Sequence, residues 1–257
     1  MGIEVERWED GELVRETLDR LDRWTVHASH SVTVHLSDGA ETDLSVPVVQ
    51  RPGEINGDRL GVGACLWDGA VILAGYMASE VPRRKLMGAR VVELGAGVGF
   101  AGIVCAKLGA RVTLTERGCM VPLMEENAQA NGFDGRGRDT AGGQGTCECR
   151  ELTWGGAGYE ERAGNLGPAD WVIAADCVYV DGEGESPSVP AFVESIRRMS
   201  GPGTTVVVCQ EVRSTDVSAT LRRLLEENFK TACRLVPPQS LPAPLRAEYN
   251  ELFVCKL

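Results

Sequence analysis

The sequence predicts an α/β fold in which one mostly parallel sheet carries helices on both of its faces. Short apolar segments typical of strands alternate with segments of helical spacing from about residue 91 onward. The strand segments, 205–209 for example, are continuous apolar runs rather than alternating ones. That pattern is typical of strands covered on both faces, so the sheet is expected inside the molecule.

Seven strand segments follow one another along the chain, at 91–94, 111–115, 147–152, 171–175, 205–209, 232–236 and 252–256. Helical spacing of apolar residues predicts helices before and between them, at 67–77, 100–108, 120–131, 189–199 and 216–228. Together these elements predict a doubly wound, Rossmann-like sheet of seven strands. The stretch 132–168 holds 11 glycines in 37 positions, and we interpret it as a surface insertion.

The N-terminal part has a different pattern. Residues 1–24 are charged and show a weak helical period. Residues 25–50 alternate about Ser37-Asp38-Gly39, which predicts a β-hairpin, and the glycine-containing stretch 51–63 predicts a loop. We therefore expect one domain over 1–257, in which 1–60 is an N-terminal helix and hairpin extension and 61–257 is the catalytic core.

Composition excludes several classes of function. The chain has 257 residues, a formal net charge of −11 and 43% hydrophobic residues, which are the values of a globular protein. This acidic balance disfavours nucleic acid as a partner, because nucleic-acid binders carry a basic face. No apolar run approaches the ~20 residues of a membrane span, and the acidic N-terminus lacks the apolar core of a signal peptide.

The nine cysteines lie mostly in apolar runs, as Cys105 and Cys209 do, which is typical of buried, reduced thiols. Cys147 and Cys149 form a Cys-x-Cys pair without the second pair that a zinc site needs, so we expect no metal. We expect a monomer that works in the cytoplasm, with the nucleus left open.

A glycine-rich turn joins the first strand of the alternating part to the next helix: Glu93-Leu94-Gly95-Ala96-Gly97-Val98-Gly99. Glycine allows the sharp turn and lets a ligand approach the backbone closely. One interpretation is a dinucleotide-binding loop, since Gly97-x-Gly99-x-x-Gly102 fits that fingerprint. The other includes Glu93, whose carboxylate would disfavour a pyrophosphate and suit a cofactor that carries an ammonium group.

Glu116 closes the second strand of this part, 23 residues after Glu93. A carboxylate at that position can accept hydrogen bonds from two ribose hydroxyls, and both interpretations of the turn need it. The alternative for Glu116 alone is a surface helix cap.

Several motifs together resemble a known family, the class I, seven-β-strand S-adenosylmethionine-dependent methyltransferases, and within it methyltransferase family 16, the protein-lysine methyltransferases. The motifs are the glycine turn, Val112–Glu116 with its final carboxylate, Leu66-Trp67-Asp68, Asn127 with Asn131, Glu151-Leu152-Thr153-Trp154-Gly155 and Ala175-Asp176-Cys177-Val178-Tyr179. The resemblance covers roughly 60–257. The family usually has aspartate where this chain has Glu116.

The resemblance implies that S-adenosyl-L-methionine is the cofactor. By similarity, its site is lined by Trp67, Glu93, Gly95, Ala96, Gly97, Glu116, Trp154 and Ala175. Glu116 would hold the ribose, and Trp154 would lie toward the adenine, since an aromatic face stacks well on a purine. The alternative for Trp67, which lies beside an apolar helix, is a place in the core.

The resemblance also implies methyl transfer to the side-chain amine of a lysine exposed on a partner protein. Asp176 and Tyr179 follow the fourth strand of the alternating part, and we expect them to orient the lysine ammonium beside the methyl group. Asp176 could instead cap the next helix. The acidic segment 181–185 lies near the expected substrate mouth and favours a basic target, although a solvated loop would have the same composition.

Three other functions remain in competition. A methyltransferase of the same fold could act on a small molecule or another nucleophile. A nicotinamide-dependent oxidoreductase would use the same glycine turn, but we find no Tyr-x-x-x-Lys or His–Asp relay to support it. A non-catalytic cofactor-binding protein would keep the turn without the chemistry.

Overall fold

A computed structural model describes residues 2–18, 22–37, 43–57, 59–138, 145–229 and 232–257. Eleven strands form two sheets in these ranges: β1 Gly2–Glu9, β2 Glu12–Leu18, β3 Ser31–Ser37, β4 Asp43–Val49, β5 Arg90–Leu94, β6 Arg111–Glu116, β7 Thr146–Glu151, β8 Trp171–Ala175, β9 Thr205–Glu211, β10 Ala232–Leu235 and β11 Asn250–Lys256. The α-helices of the described chain are α1 Arg23–Ala28, α2 Asp68–Ser79, α3 Phe100–Lys107, α4 Val121–Ala130, α5 Tyr159–Gly164, α6 Val189–Met199 and α7 Thr215–Asn228.

The central sheet has seven strands in the order β10-β11-β9-β8-β5-β6-β7. The five strands from β5 to β9 run parallel, whereas β11 is antiparallel to β9 and β10 is antiparallel to β11. All seven predicted strands are present, and α2, α3, α4, α6 and α7 correspond to the five predicted helices. The predicted α/β fold class is therefore confirmed.

The glycine-rich stretch 132–168 packs on the core more than we predicted. It contains the short helix α5, whose Tyr159 and Ala163 are buried, and Leu166 just after the helix is buried as well. The interpretation as a surface insertion is therefore wrong for this half of the stretch. The glycines obscured the helix, which begins after Gly158 in the left-handed conformation and lasts only one and a half turns.

The prediction of a helix in residues 1–24 is wrong over most of its length. The region forms the antiparallel pair β1 and β2, and α1 begins only at Arg23. Ile3 and Val5 alternate toward the core, and Asp10 and Gly11 make the two-residue turn with φ of 49° and 85°. Asp-Gly between two strand-like segments is the usual sequence of such a turn, and it was a stronger signal than the weak helical period.

The predicted hairpin of residues 25–50 is confirmed in its strands. β3 pairs with β4 antiparallel from Ser31↔Val49 to Ser37↔Asp43, while the predicted turn residues Asp38 and Gly39 lie outside the described residues. With β1 and β2 these strands form a four-stranded sheet in the order β2-β1-β3-β4. We call it the N-terminal sheet. The predicted hairpin thus forms two of the four strands of the N-terminal sheet.

The N-terminal sheet shares a hydrophobic core with the helices on one face of the central sheet, through residues such as Val34 and Val46. Asn127 of α4 joins the two parts by hydrogen bonds. Its amide accepts from Val49 N at 2.7 Å and donates to Val49 O at 3.1 Å and to Val98 O at 2.9 Å. One side chain therefore ties the end of β4 to the glycine turn.

The cysteines follow the prediction except for one pair. Six free cysteines are buried and Cys119 is exposed. Cys233 and Cys255, however, form a disulfide between β10 and β11. The antiparallel register places these two residues, which are 22 positions apart in the sequence, directly opposite each other.

No helix in the described part of the chain has the length and apolar character to cross a membrane. Within the same residues, no group of three or more His, Cys, Asp or Glu side chains is arranged to hold a metal ion.

Candidate active site

The ten predicted site residues come together at one edge of the central sheet. The chain leaves β5 toward β6 on one side, and β8 lies on the other, so strand order reverses between β5 and β8. In open α/β sheets this is where ligands bind, outside the carboxyl ends of the strands. A cleft of about 390 Å³ opens there, and a narrow hollow of about 30 Å³ adjoins it.

The cleft and the hollow share part of their walls, including Gly95, Glu116 and Tyr179. Trp154 lines the cleft. The remaining predicted residues line the hollow: Trp67, Glu93, Ala96, Gly97, Ala175 and Asp176.

The glycine turn leaves β5 and reaches the beginning of α3 with almost no room for side chains. Gly95 and Gly97 have φ of 63° and 54°, a conformation that favours glycine. A Cβ at Gly95 would lie 2.6 Å from the sulfur of Cys177 and 3.2 Å from the indole of Trp154. A Cβ at Gly97 would lie 3.3 Å from the carbonyl oxygen of Gly63. Both glycines are therefore required by packing as well as by backbone conformation.

Glu93 lies behind this turn and is 1% exposed. One of its carboxyl oxygens accepts a hydrogen bond of 2.7 Å from the N–H of Gly102, in the first turn of α3, where backbone donors have no partner within the helix. Burial raises the pKa of Glu93 to about 8, against the effect of that hydrogen bond. The side chain is therefore mostly protonated at neutral pH, unlike the anion we expected beside an ammonium group.

Glu116 is the last residue of β6 and lines both the cleft and the hollow. Its Oε1 accepts a hydrogen bond of 2.8 Å from the backbone N–H of Arg117. The guanidinium of Arg117 donates to Leu60 O at 2.7 Å and so holds the loop that covers the cleft. The carboxylate is thus fixed in direction at the position where a ribose would need it.

Trp154 packs its ring against Phe192, with 5.0 Å between the centroids, and against the turn at Gly95. Its Nε1 is buried, and none of the described residues offers it a hydrogen-bond acceptor. A buried N–H without a partner is costly unless a ligand or water supplies one. The position beside the cleft indicates a ligand with a hydrogen-bond acceptor there, such as a purine ring.

Trp67 precedes α2, and its Nε1 donates a hydrogen bond of 2.7 Å to Val62 O. The ring also lies 4.5 Å from His27 and 4.9 Å beneath the guanidinium of Arg213. Trp67 therefore holds the covering loop in place and is partly exposed, so the alternative of a core residue does not describe it.

Asp176 follows β8 with a φ of 50°, in the left-handed region. Both carboxylate oxygens accept backbone N–H groups, one from Gly69 and one from Glu211, each at 2.9 Å. Burial raises the pKa of Asp176, and the two backbone donors oppose the rise only in part. Asp176 thus caps α2, an earlier helix than the one we considered, and it lines the hollow as well.

Tyr179 stands at the rim of the hollow and is 41% exposed. Desolvation by the neighbouring walls raises the pKa of the phenol, so the hydroxyl stays protonated. Together, Asp176 and Tyr179 offer one carboxylate and one hydroxyl at the same end of the cavity.

The sequence alone did not identify several residues that line the cleft. These are Gly61, Val62, Gly63, Arg117, Leu152, Thr153 and Ser188. We interpreted 51–63 only as a loop, although its glycine spacing, Gly61-x-Gly63, allows the close approach to Gly97. Leu152 and Thr153 directly precede Trp154, so proximity in sequence could have indicated them. Nothing in the sequence indicates Ser188.

The sequence profile of the lysine methyltransferase family matches residues 54–227, a range that contains all ten predicted site residues. The chain belongs to the lysine methyltransferase family. The match begins after the N-terminal sheet.

Curated relatives in this family include protein N-lysine methyltransferase METTL21A of Danio rerio, 35% identical over 160 residues, and EEF1A lysine methyltransferase 3 of Mus musculus, 32% identical over 174 residues. The alignments cover 60% and 67% of this chain. They span 63% and 66% of the relatives' own lengths, just under two thirds.

Solved structures share the fold of this lysine methyltransferase family member at low identity. A 16S rRNA N2 G1207 methyltransferase (RsmC) of T. thermophilus, in complex with AdoMet and guanosine, has a TM-score of 0.58 at 16% identity and covers 100% of this chain and 58% of its own. A protein described as a SAM-dependent methyltransferase from Streptococcus mutans has a TM-score of 0.54 at 15% identity, with 95% and 58% covered. These similarities support the fold only.

Proposed function

We propose that the chain is an S-adenosylmethionine-dependent methyltransferase that modifies the side-chain amine of a lysine in a protein. One observation carries the proposal: the cleft and the adjoining hollow share walls, and together they are lined by the glycine turn, Glu116, Trp154 with its unpartnered N–H, and the pair Asp176 and Tyr179. Membership in the lysine methyltransferase family supports it.

The residues present fit S-adenosylmethionine. Glu116 would accept hydrogen bonds from the ribose hydroxyls, and the ring face of Trp154 would stack on the adenine. The backbone at Gly95, Ala96 and Gly97 would lie against the methionine part. Trp67 and Ala175 would enclose the cofactor from the other side, whereas Glu93 would act through the glycine turn.

When bound, this cofactor supplies a methyl group on a sulfonium, which is activated for displacement without a metal. The lysine must attack as a neutral amine. With an ordinary pKa of ~10.4, the cost of deprotonation at neutral pH is about 4–5 kcal/mol. Holding the reacting atoms in line contributes about 7–11 kcal/mol, so positioning outweighs deprotonation.

Asp176 and Tyr179 would provide that positioning. Each oxygen of Asp176 uses one lone pair for a backbone N–H, which leaves acceptor capacity for the entering ammonium. The hydroxyl of Tyr179 would accept a second hydrogen bond from the same group. The raised pKa of Asp176 makes its carboxylate a better acceptor for the departing proton than an exposed aspartate.

The finer expectations are proposals too. We propose that 1–257 folds as one domain, because the hydrophobic core is shared between both sheets. We propose a monomer in the cytoplasm that acts on proteins and not on nucleic acids, in line with the net charge of −11. Relatives named for lysines of EEF1A make that elongation factor the first purified substrate to test.

The test is incubation of the full chain with methyl-labelled S-adenosylmethionine and an unfractionated protein extract, followed by mass spectrometry of the labelled proteins. We expect label on lysine Nζ. Label on small molecules only would indicate the same fold with another acceptor. Binding of NAD and not of S-adenosylmethionine would overturn the proposal in favour of an oxidoreductase.

A further inference from the structure

The N-terminal sheet lies outside the range matched by the family, yet its helix α1 touches the site. The imidazole of His27 lies 4.5 Å from the indole of Trp67, edge to face. Burial lowers the pKa of His27, so the contact is made by a neutral ring. The extension therefore reaches a residue of the active-site hollow directly.

Arg23, also in α1, makes the second contact. Its guanidinium lies 3.0 Å from the carboxylate of Asp68 and 3.1 Å from that of Glu211. Glu211 donates its backbone N–H to Asp176. The extension is thus held at the side of the cavity where the lysine would enter.

The extension also exposes two tryptophans. Trp24, the neighbour of Arg23, is 82% exposed, more than any other large apolar residue of the described chain. Trp8 is 60% exposed and lies opposite Leu13, which is 44% exposed, in the register of β1 and β2. Exposed tryptophans are unusual on proteins without a partner and typical of interface anchors.

Trp8 and Leu13 lie at the hairpin end of β1 and β2, and Trp24 lies in the first turn of α1. β3 pairs with β1 only as far as Glu6, so the residues from Arg7 to Val14 extend beyond it as a two-stranded arm. Glu6 O accepts a hydrogen bond of 2.8 Å from His30 N, just after α1. The arm therefore leaves the sheet next to the residue pair that follows α1, the helix whose Arg23 and His27 contact the site. We call Trp8, Leu13 and Trp24 the docking rim.

The charge near the cavity favours a basic partner. Asp181, Glu183 and Glu185 are exposed directly after Tyr179. The sequence contains no lysine or arginine between Arg162 and Arg197, so nothing within this stretch neutralises those carboxylates. A protein surface carrying several cations would be attracted to this side of the molecule.

We propose that the docking rim binds a basic face of a folded protein and thereby presents one of its lysines to the cavity. The inference rests on the proposed function and names its kind of substrate. The tryptophans would bury apolar area on the partner, while the carboxylates of the segment 181–185 would orient it. A short peptide would reach Asp176 and Tyr179 without the rim.

The test compares the full chain with a double variant, Trp8→Ser with Trp24→Ser, and with the control Met87→Ser. Met87 is 63% exposed but precedes β5, at the opposite edge of the central sheet. Initial rates are measured with labelled S-adenosylmethionine on two acceptors, an unfractionated extract of folded proteins and a short unstructured lysine peptide. Binding of S-adenosylmethionine is measured by calorimetry.

We expect the double variant to lose about tenfold or more of its rate on the extract, and to keep the peptide rate and the cofactor affinity. The control should keep all three. An unchanged rate on the extract would overturn the docking rim, and so would an equal loss on both acceptors, since that would indicate damage to the cavity. A wild-type chain without activity on either acceptor would instead overturn the proposed function.

The charge component has its own variant, Glu183→Lys with Glu185→Lys. We expect a lower rate on the extract with the largest loss at low salt, because screening weakens the attraction between exposed charges. The same rate as the wild type at low salt would contradict a basic partner.

Discussion

The central sheet and the N-terminal sheet reach the same cavity in different ways. In the central sheet, Gly95, Glu116 and Asp176 stand at or just after the carboxyl ends of three parallel strands, so topology alone brings them together. The N-terminal sheet contributes only the side chains of α1, chiefly Arg23 and His27. The chemistry thus depends on the backbone of the fold, whereas the part that we propose to select the substrate reaches the cavity through side chains. Four substitutions test this division.

The largest expected effect is at Asp176. We expect Asp176→Ala to lower the rate of methyl transfer by about 1,000-fold, within the range for a lost proton-handling group. It also leaves two buried N–H groups without acceptors, so the free energy of unfolding should fall by about 2 kcal/mol or more. Cofactor affinity should remain nearly unchanged. The measurements are single-turnover rates, denaturant unfolding and calorimetry.

The control for that variant is Asp134→Ala. Asp134 also accepts two backbone N–H groups, from Arg136 and Arg138, but it lies in a loop that does not line the cavity. Its loss should leave the transfer rate intact. Full activity in Asp176→Ala would contradict the role assigned to Asp176.

The second effect concerns pH and the buried Glu93. Its pKa is about 8 in the folded chain, against an ordinary value of 4.5. The folded state therefore binds the extra proton, and the free energy of unfolding falls as pH rises from the lower value to the higher one. Between pH 5 and pH 8 the loss should be about 3 kcal/mol. The glutamine in Glu93→Gln cannot ionise, so this variant should lack the pH-dependent loss of stability. Denaturant midpoints measured from pH 5 to pH 8 test this. Parallel profiles for the two chains would contradict the assignment.

The third effect is at the glycine turn. Gly95→Ala adds a Cβ 2.6 Å from the sulfur of Cys177. Such overpacking typically costs about 1–3 kcal/mol, and we expect binding of S-adenosylmethionine to weaken by about tenfold. Gly88→Ala is the matched control, because Gly88 also has a positive φ, 71°, but open space around it. Equal effects on cofactor affinity would mean that backbone strain, and not the contact with Cys177, is responsible.

The smallest effect tests the N-terminal side. Arg23→Met removes the bridge to Asp68 and Glu211, which are largely shielded from solvent, and should cost about 1 kcal/mol of stability. We expect the rate of methyl transfer to folded proteins to fall by no more than about threefold. Arg15→Met is the control, since Arg15 pairs with Glu6 across β1 and β2 at the surface and should contribute less than about 0.5 kcal/mol. Thermal unfolding and initial rates distinguish the two, and identical behaviour would show that Arg23 does not attach the extension.

The sequence supported good predictions where one local pattern determines the structure. In the central part, continuous apolar runs indicate the strands, and the glycine turn indicates where the first strand ends and the next helix begins. The seven strands could therefore be predicted, and so could the positions of Gly95, Glu116 and Asp176 at strand ends. The N-terminal sheet was harder, because its outer strands are charged on one face and are stabilised by pairing. There the Asp10-Gly11 turn was the informative signal, and the helical period of residues 13–21 was accidental.

The arrangement of the site contained information that no local pattern carries. Asp176 caps α2 by accepting the N–H of Gly69, which lies 107 positions earlier in the sequence. This contact depends on how the helix packs on the sheet. The same holds for the approach of Gly63 to Gly97. The charge state of Glu93 also follows from burial and not from residue type, so a carboxylate predicted as an anion is mostly neutral.

Asn127 gives the two sheets a thermodynamic relation. Its single carboxamide bonds Val49, the last residue of the N-terminal sheet, and Val98 in the glycine turn. A ligand that orders the turn would also fix the Asn127 amide. It would thereby stabilise the contact between β4 and α4. Because linkage is reciprocal, cofactor that orders the turn would favour an intact N-terminal sheet, and an intact sheet would favour binding of the cofactor. The affinity of the turn for its ligand is in this sense a property of the whole chain.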